Sequence, residues 1–441
     1  MRRWTTEAVL AAALLAAPAM AQDTLTLGTA VRMALEQELG VRIAANSALA
    51  AEELATPGNA GLLPRIDATA QGSYNNNYSR LDFAEGIPDV ERSGVESTSW
   101  GATLQAAWTV FNGNGNRAAY QRSIAAAGVA DIAERGVREA VVLQAAAAYY
   151  AVAGLEENLT ITEDLLRTSL ERYQRAEDRA TVGGGGRLDA LNALVDLQSD
   201  SATWIGSRQA LEQARNELAV ALGQEPDARW NVSRTVSFTD GLVLEDLERT
   251  ALGANADLLI ARGEVEVSAQ DARMARALRW PRLDLTGRYG LTDQKNEVGV
   301  VLGSFNAGFT GGGSLSMPIF DGGRLAAQQR VAELQLESAE LEAERARLRL
   351  LADLHNAWTA YEASRETLRL QRSAETTAGV NFELSQERYA MGQLTGIQFR
   401  EAQGNYLQAR RRRVQAAFDA VVAELGLLRA SGILLGSVSA P

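Results

Sequence analysis

The feature that most constrains this chain is a pair of helix-permissive runs too long to fit inside any compact globule. Between Arg117 and Thr181 there is no proline and little glycine, and the same holds from Arg324 to Met391. Proline and glycine are the residues that interrupt a helix, so each run is expected to continue unbroken. At about 1.5 Å per residue, each would reach on the order of 100 Å. Apolar residues recur at sevens: Leu159, Leu166 and Tyr173; Leu197, Trp204, Leu211 and Leu218; Leu334, Leu341 and Leu348; Leu407, Val414, Val421 and Leu428. That is coiled-coil spacing, with alanine filling much of the remaining contact surface. Glycine-bearing turns at 182–186 and 392–396, with Gly183, Gly186 and Gly392 at their tips, reverse the chain. Two antiparallel hairpins are therefore predicted, over 117–222 and 324–430.

The chain is also a duplicate of itself. Leu25-Thr26-Leu27 answers Leu242-Val243-Leu244, and Pro64-Arg65-Ile66-Asp67 answers Pro281-Arg282-Leu283-Asp284. Val110-Phe111-Asn112-Gly113 likewise answers Ile319-Phe320-Asp321-Gly322. Repetition at this scale means two copies of one structural unit. The units are read as 22–225 and 242–441, joined by a linker over 226–241. Each runs helix, strand, loop, strand, long helix, turn, long helix.

Strands are expected near 65–78 and 98–111, and near 282–292 and 305–319, because apolar and small polar residues alternate there. Trp100, Ala102, Leu104, Ala106 and Trp108 fall on one face, with Thr103, Gln105 and Thr109 on the other. An apolar face opposite a small polar one fits a membrane strand beside a water-filled lumen. Tyr74, Trp100, Trp108, Phe305 and Phe309 are the candidate lipid-facing or interfacial aromatics. A soluble sandwich is the alternative.

Composition narrows the function classes. Arg2-Arg3, the apolar stretch 8–17 and Ala19-Met20-Ala21 read as a signal peptide over residues 1–21. No later window is apolar enough for a membrane-spanning helix. The net charge of −12 argues against nucleic acid as a partner. Cysteine is absent, which removes disulfides, thiol nucleophiles and an acylated N-terminal cysteine, so no lipid anchor is expected. His355 is the single histidine, read as a polar residue on a long helix. Metal clusters and most histidine-dependent catalysis are thereby disfavoured, and no cofactor, metal or catalytic residue is assigned. Gly113-Asn114-Gly115 and the run Gly183 to Gly186 read as turns, since neither sits in a nucleotide-binding context.

Four strands cannot close a barrel, and an open edge in hydrocarbon leaves backbone groups unpaired at several kcal/mol each. Membrane strands in this chain therefore require oligomerisation; two copies leave almost no pore, and three or more are preferred. The duplicated plan resembles the TolC family of outer-membrane efflux proteins. The residues that carry the resemblance are Leu62-Leu63-Pro64, Met317 to Gly323, Arg388 to Gly392 and Glu424 to Arg429. The resemblance covers essentially the whole mature chain. It implies a mainly α fold with a membrane β-barrel portion: a homotrimer with a twelve-stranded barrel and a twelve-helix tunnel across the periplasm. It implies docking to a periplasmic adaptor and an inner-membrane transporter, a location in the outer membrane of a Gram-negative cell, and export in efflux or type I secretion. A periplasmic coiled-coil adaptor or scaffold is the alternative.

The resemblance also points to a gate at the helical tip. Asp189, six residues beyond Gly183, falls at the family's gating acid, and Tyr389 at its tyrosine partner. Gln398 and Glu401 fall where the family carries acids, so only Glu401 keeps the charge. Leu394 stands where an arginine link is expected. The run Arg410 to Arg413 is read as a solvated face with salt bridges between subunits, with an adaptor-contact patch as the alternative.

Overall fold

The computed structural model of the chain describes residues 24–81, 90–182, 186–235, 238–239, 241–297 and 301–438. The signal-peptide reading and Gly183 lie outside them. The first repeat contains α1 (Leu27–Gln37), α2 (Leu39–Leu54), β1 (Arg65–Leu81), β2 (Val90–Asn112), α3 (Gly115–Thr181) and α4 (Arg187–Ala221). The second contains α5 (Leu244–Ala254), α6 (Ala256–Ala277), β3 (Arg282–Asn296), β4 (Gly303–Ser316), α7 (Arg324–Ala390) and α8 (Gly396–Ala430). A short α9 (Leu434–Val438) closes the chain.

Helices α3 and α7 each run 67 residues without a break, so each is on the order of 100 Å long. Each pairs lengthwise with the helix that follows it, α3 with α4 and α7 with α8. The shorter leading helix of each repeat is broken at one residue. Glu38 and Asn255 both adopt extended backbone, φ −65° and ψ 132°, φ −64° and ψ 127°. Each then caps the next helix, accepting from Val41 N at 3.0 Å and Leu258 N at 3.0 Å. A side-chain acceptor at this position satisfies an orphan amide of the first turn.

The strands form one antiparallel sheet in the order β1-β2-β3-β4. Its register places Tyr74, Trp100, Leu104, Trp108, Tyr289, Phe305 and Phe309 on one face. All of these large side chains are exposed, Phe309 by 73% and Phe305 by 65%. The other face carries small polar residues such as Thr69, Ser73, Thr103, Thr286 and Thr310. Trp108 Nε1 donates to Leu62 O at 3.0 Å, and Trp100 Nε1 donates to Asp293 Oδ2 at 3.0 Å. Eight residues separate these two tryptophans along β2, about 26 Å of strand.

The expected strand bounds need correction: β1 runs on to Leu81 and β3 to Asn296. β2 begins at Val90 rather than 98, because its upper part pairs with β1 through polar residues that carry no apolar alternation. β4 ends at Ser316 rather than 319. Pro318 has no N–H for a ladder, and Ile319 and Phe320 stand 96% and 90% exposed outside the sheet. The turn from strand into long helix then uses positive φ: 68° at Gly113, and 68° and 87° at Gly322 and Gly323.

The main core lies where α1, α3, α4 and the linker meet. Tyr149, Val142, Leu218 and Leu222 are almost fully buried there. The Tyr149 hydroxyl lies 3.0 Å from the carbonyl oxygens of Leu25 and Ser233 and donates to them. Leu25 pairs in parallel with Val232, which ties the start of the described chain to the linker.

Candidate functional site

The far ends of the two helical hairpins lie side by side, and the predicted gate residues are gathered there. Asp189 and Tyr389 line one cavity of about 700 Å³, together with Arg172, Asp196, Leu394 and Arg400. Among the described residues no hydrogen bond joins Asp189 to Tyr389. The tyrosine ring instead stacks on Phe399, centroids 4.8 Å apart and planes 11° apart. Phe382 continues the aromatic column, stacking on Tyr406 at 5.4 Å and lying 5.8 Å from Phe399. This column holds α7 to α8 just above the turn.

Gln398 turns inward on its own helix. It forms a capping box with Thr395: Thr395 N donates to Gln398 Oε1 at 3.0 Å, and Gln398 N donates to Thr395 Oγ1 at 3.3 Å. The side chain is therefore committed to starting α8. Glu401 is exposed and has no ion-pair partner among the described residues. Gly392 has φ +74°, the left-handed conformation that ends α7 and turns the chain. Gly186 has φ −73° and ψ 135° at the start of α4, a backbone open to any residue.

A bidentate contact between the hairpins lies about three helical turns above Asp189. Arg400 of α8 donates from both terminal nitrogens to Asp200 of α4, at 2.6 and 2.7 Å. Ser169 of α3 also donates to Asp200, and Arg400 reaches Gln403 Oε1 at 3.3 Å. Asp200 is 3% exposed. Burial works against the charge on the Arg400 guanidinium, but Asp200 outweighs it and raises the arginine's pKa above its ordinary value. Bidentate charge-assisted bonds of this kind are the strong ones, and they fix geometry as well as attraction.

Arg172 of α3 pairs with Asp196 of α4 inside the first hairpin, one turn nearer its tip than Asp200. Further ion pairs climb the seam between the hairpins. Arg410 of α8 approaches Asp164 of α3 at 3.5 Å. Arg413 pairs with Glu157 of α3 and, at 2.9 Å, with Glu375 of α7. Arg410 and Arg413 thus find acids within one chain, where the sequence suggested pairs between subunits. Asp164 and Glu157 lie some 250 residues from their arginines, a pairing that no local pattern reveals.

No helix among the described residues is long and apolar enough to cross a membrane. No group of histidine, aspartate or glutamate side chains among them is arranged to hold a metal ion.

The architecture has solved counterparts. The Campylobacter jejuni CmeC outer membrane channel matches with TM-score 0.77 at 18% identity, covering 92% of this chain and 86% of that one. A Pseudomonas aeruginosa membrane protein matches with TM-score 0.75 at 21% identity, covering 92% and 90%. In sequence, Escherichia coli (strain K12) outer membrane protein TolC is 23% identical over 383 residues, 85% of this chain and 75% of that protein. The outer membrane efflux protein family matches residues 30–224 and again 247–433. The two matches fall on the two repeats and account for most of the chain, which belongs to the outer membrane efflux protein family.

Proposed function

We propose that this chain is one third of a trimeric outer-membrane duct that works as a passive conduit and catalyses nothing. The observation that carries the reading is the sheet. It has one apolar face and one small polar face, and among the described residues its outer strands β1 and β4 each have a single neighbour. Free strand edges have no place in hydrocarbon, so the sheet must be completed by further copies. Three copies give twelve strands and room for water.

The helices support the same assembly. Leu334, Leu341 and Leu348 on α7 keep coiled-coil spacing yet are 44%, 65% and 56% exposed. That apolar seam has no cover among the described residues, and a second copy of the chain is the partner its spacing fits. A periplasmic adaptor or scaffold shares long hairpins but has no use for a sheet that turns aromatics outward. The efflux setting of the family implies a periplasmic adaptor and an inner-membrane transporter as partners.

The periplasmic gate is assigned to the hairpin tips, with Asp189, Tyr389 and Glu401 at the mouth and the Arg400–Asp200 pair as the latch above them. Opening requires α7 and α8 to swing away from α3 and α4, and this pair crosses that seam. Fractionation of cells expressing the full chain tests the reading. Recovery with the outer membrane as a trimer is expected; recovery as a soluble periplasmic protein would sink it.

A further inference from the structure

The polar face of the sheet carries few charges, and they do not cancel. Between the periplasmic mouth and the Asn77 row, the charged side chains on this face are Arg65, Asp67, Arg282, Asp284 and Arg288. Two acids face three bases. Each acid is already taken: Arg65 Nε donates to Asp67 Oδ1 at 2.9 Å, and Arg282 Nε lies 2.8 Å from Asp284 Oδ2. Thr109 Oγ1 adds a further bond to Asp284 at 2.6 Å.

Arg288 is left over. It is exposed, and it has no ion-pair or hydrogen-bond partner among the described residues. Its register neighbours are Gln105 on β2 and Thr310 on β4. Asp67 lies in the same row but two strands away, about 10 Å at the usual strand spacing. Asp284 lies four residues along β3, about 13 Å away. Both separations exceed a Debye length of about 8 Å at physiological salt. Above Arg288 the face is neutral through Thr69, Ser73, Thr103, Thr292, Asn306 and Ser304.

We infer that Arg288 is a selectivity residue: repeated by the assembly, it forms a cationic ring that favours anionic solutes, those bearing carboxylate or phosphate groups, in the barrel lumen. The inference rests on the trimeric duct proposed above, because only closure turns this face into a lumen. Charges facing a narrow aqueous passage raise the local concentration of counter-ions and lower that of co-ions. For a ring of three unit charges the effect on an anion-to-cation permeability ratio is about two- to fourfold at physiological salt, and larger at low salt.

The test is the reversal potential of the purified full chain in planar bilayers under a potassium chloride gradient. Arg288→Gln is expected to lower the chloride-to-potassium permeability ratio by about two- to fourfold, and Arg288→Lys to retain it. Asp67→Asn is expected to raise the ratio. The effect of Arg288→Gln is expected to grow as salt is diluted. An Arg288→Gln channel of normal trimer mass with an unchanged reversal potential overturns the inference and leaves the duct intact. Absence of any conductance from wild-type and Arg400→Ala trimers alike overturns the duct reading itself, and the inference with it.

Discussion

Arg400 grips Asp200 with both terminal nitrogens, at 2.6 and 2.7 Å, across the seam between the two helical hairpins. The two residues belong to different repeats, so the contact joins halves of the chain that duplication made equivalent. Its partners Ser169 and Gln403 are themselves buried, at 1% and 3% exposure. A charge stripped of its partner in such a setting is costly, whereas replacing both members by apolar groups is not.

Breaking one side of the pair is therefore expected to destabilise the tip more than removing both. Arg400→Ala should cost about 3 kcal/mol, since it leaves Asp200 buried and unpaired. The double variant Arg400→Met with Asp200→Leu should recover most of that loss. Denaturant unfolding of the detergent-extracted protein measures both. Equal losses in the single and double variants would show that the charges themselves are not what holds the seam.

Gly154 fixes how closely α3 and α8 approach. A Cβ placed there would run into the ring of Phe418, at Cε2. Gly154→Ala is expected to destabilise by about 1–3 kcal/mol, the usual range for overpacking. Adding Phe418→Leu should restore stability, because it withdraws the ring the methyl group strikes. Non-additivity in this double-mutant cycle is the readout.

The cavity between α3, α6, α7 and α8, about 750 Å³, places a buried acid near the middle of the long helices. Burial pushes Glu139 above the usual carboxylate range, despite the attraction of Arg135 and Arg429. Between the unfolded and the raised folded pKa, the folded chain holds more protons, so stability falls as pH rises through that window. Glu139→Gln removes the cost of ionisation. Its thermal midpoint is expected to exceed that of wild type at neutral pH, with the difference vanishing below the ordinary carboxylate pKa of about 4. A variant less stable than wild type at neutral pH would show that the Arg135 pair, at 3.7 Å, matters more than burial.

Phe399 is 3% exposed and stacks on Tyr389. Phe399→Ala is expected to cost about 3–5 kcal/mol through the cavity it leaves. Tyr389→Phe keeps the ring stack and is expected to leave unfolding unchanged, so any effect of that variant on conductance reports the hydroxyl's part in the gate.

What was legible in the sequence was what local pattern encodes. Proline-free heptads announce α3 and α7 because a helix is decided by residues a few positions apart. The alternation around Trp100 and Trp108 announces a strand for the same reason. The break at Asn255 carries a visible signal, a capping side chain before an apolar run, whereas glutamate is a rarer cap and Glu38 gives little warning. The upper part of β2 was missed because neither of its faces is apolar. Arg400 and Asp200 are 200 residues apart in the chain, and only the folded hairpins bring them together. Counting from the turn glycines matched Asp189 and Tyr389 to a gating acid and its tyrosine partner by resemblance; the two line one cavity, but the count did not foresee that Tyr389 spends its ring on Phe399 and Gln398 its side-chain oxygen on Thr395.

The most direct measurement is the single-channel conductance of the purified full chain in planar bilayers, with and without Arg400→Ala. The expected result is a small conductance from wild-type trimers that rises several-fold once the latch to Asp200 is cut. Silent bilayers from both proteins, at matched oligomeric mass, would contradict the duct; equal conductances would contradict the latch.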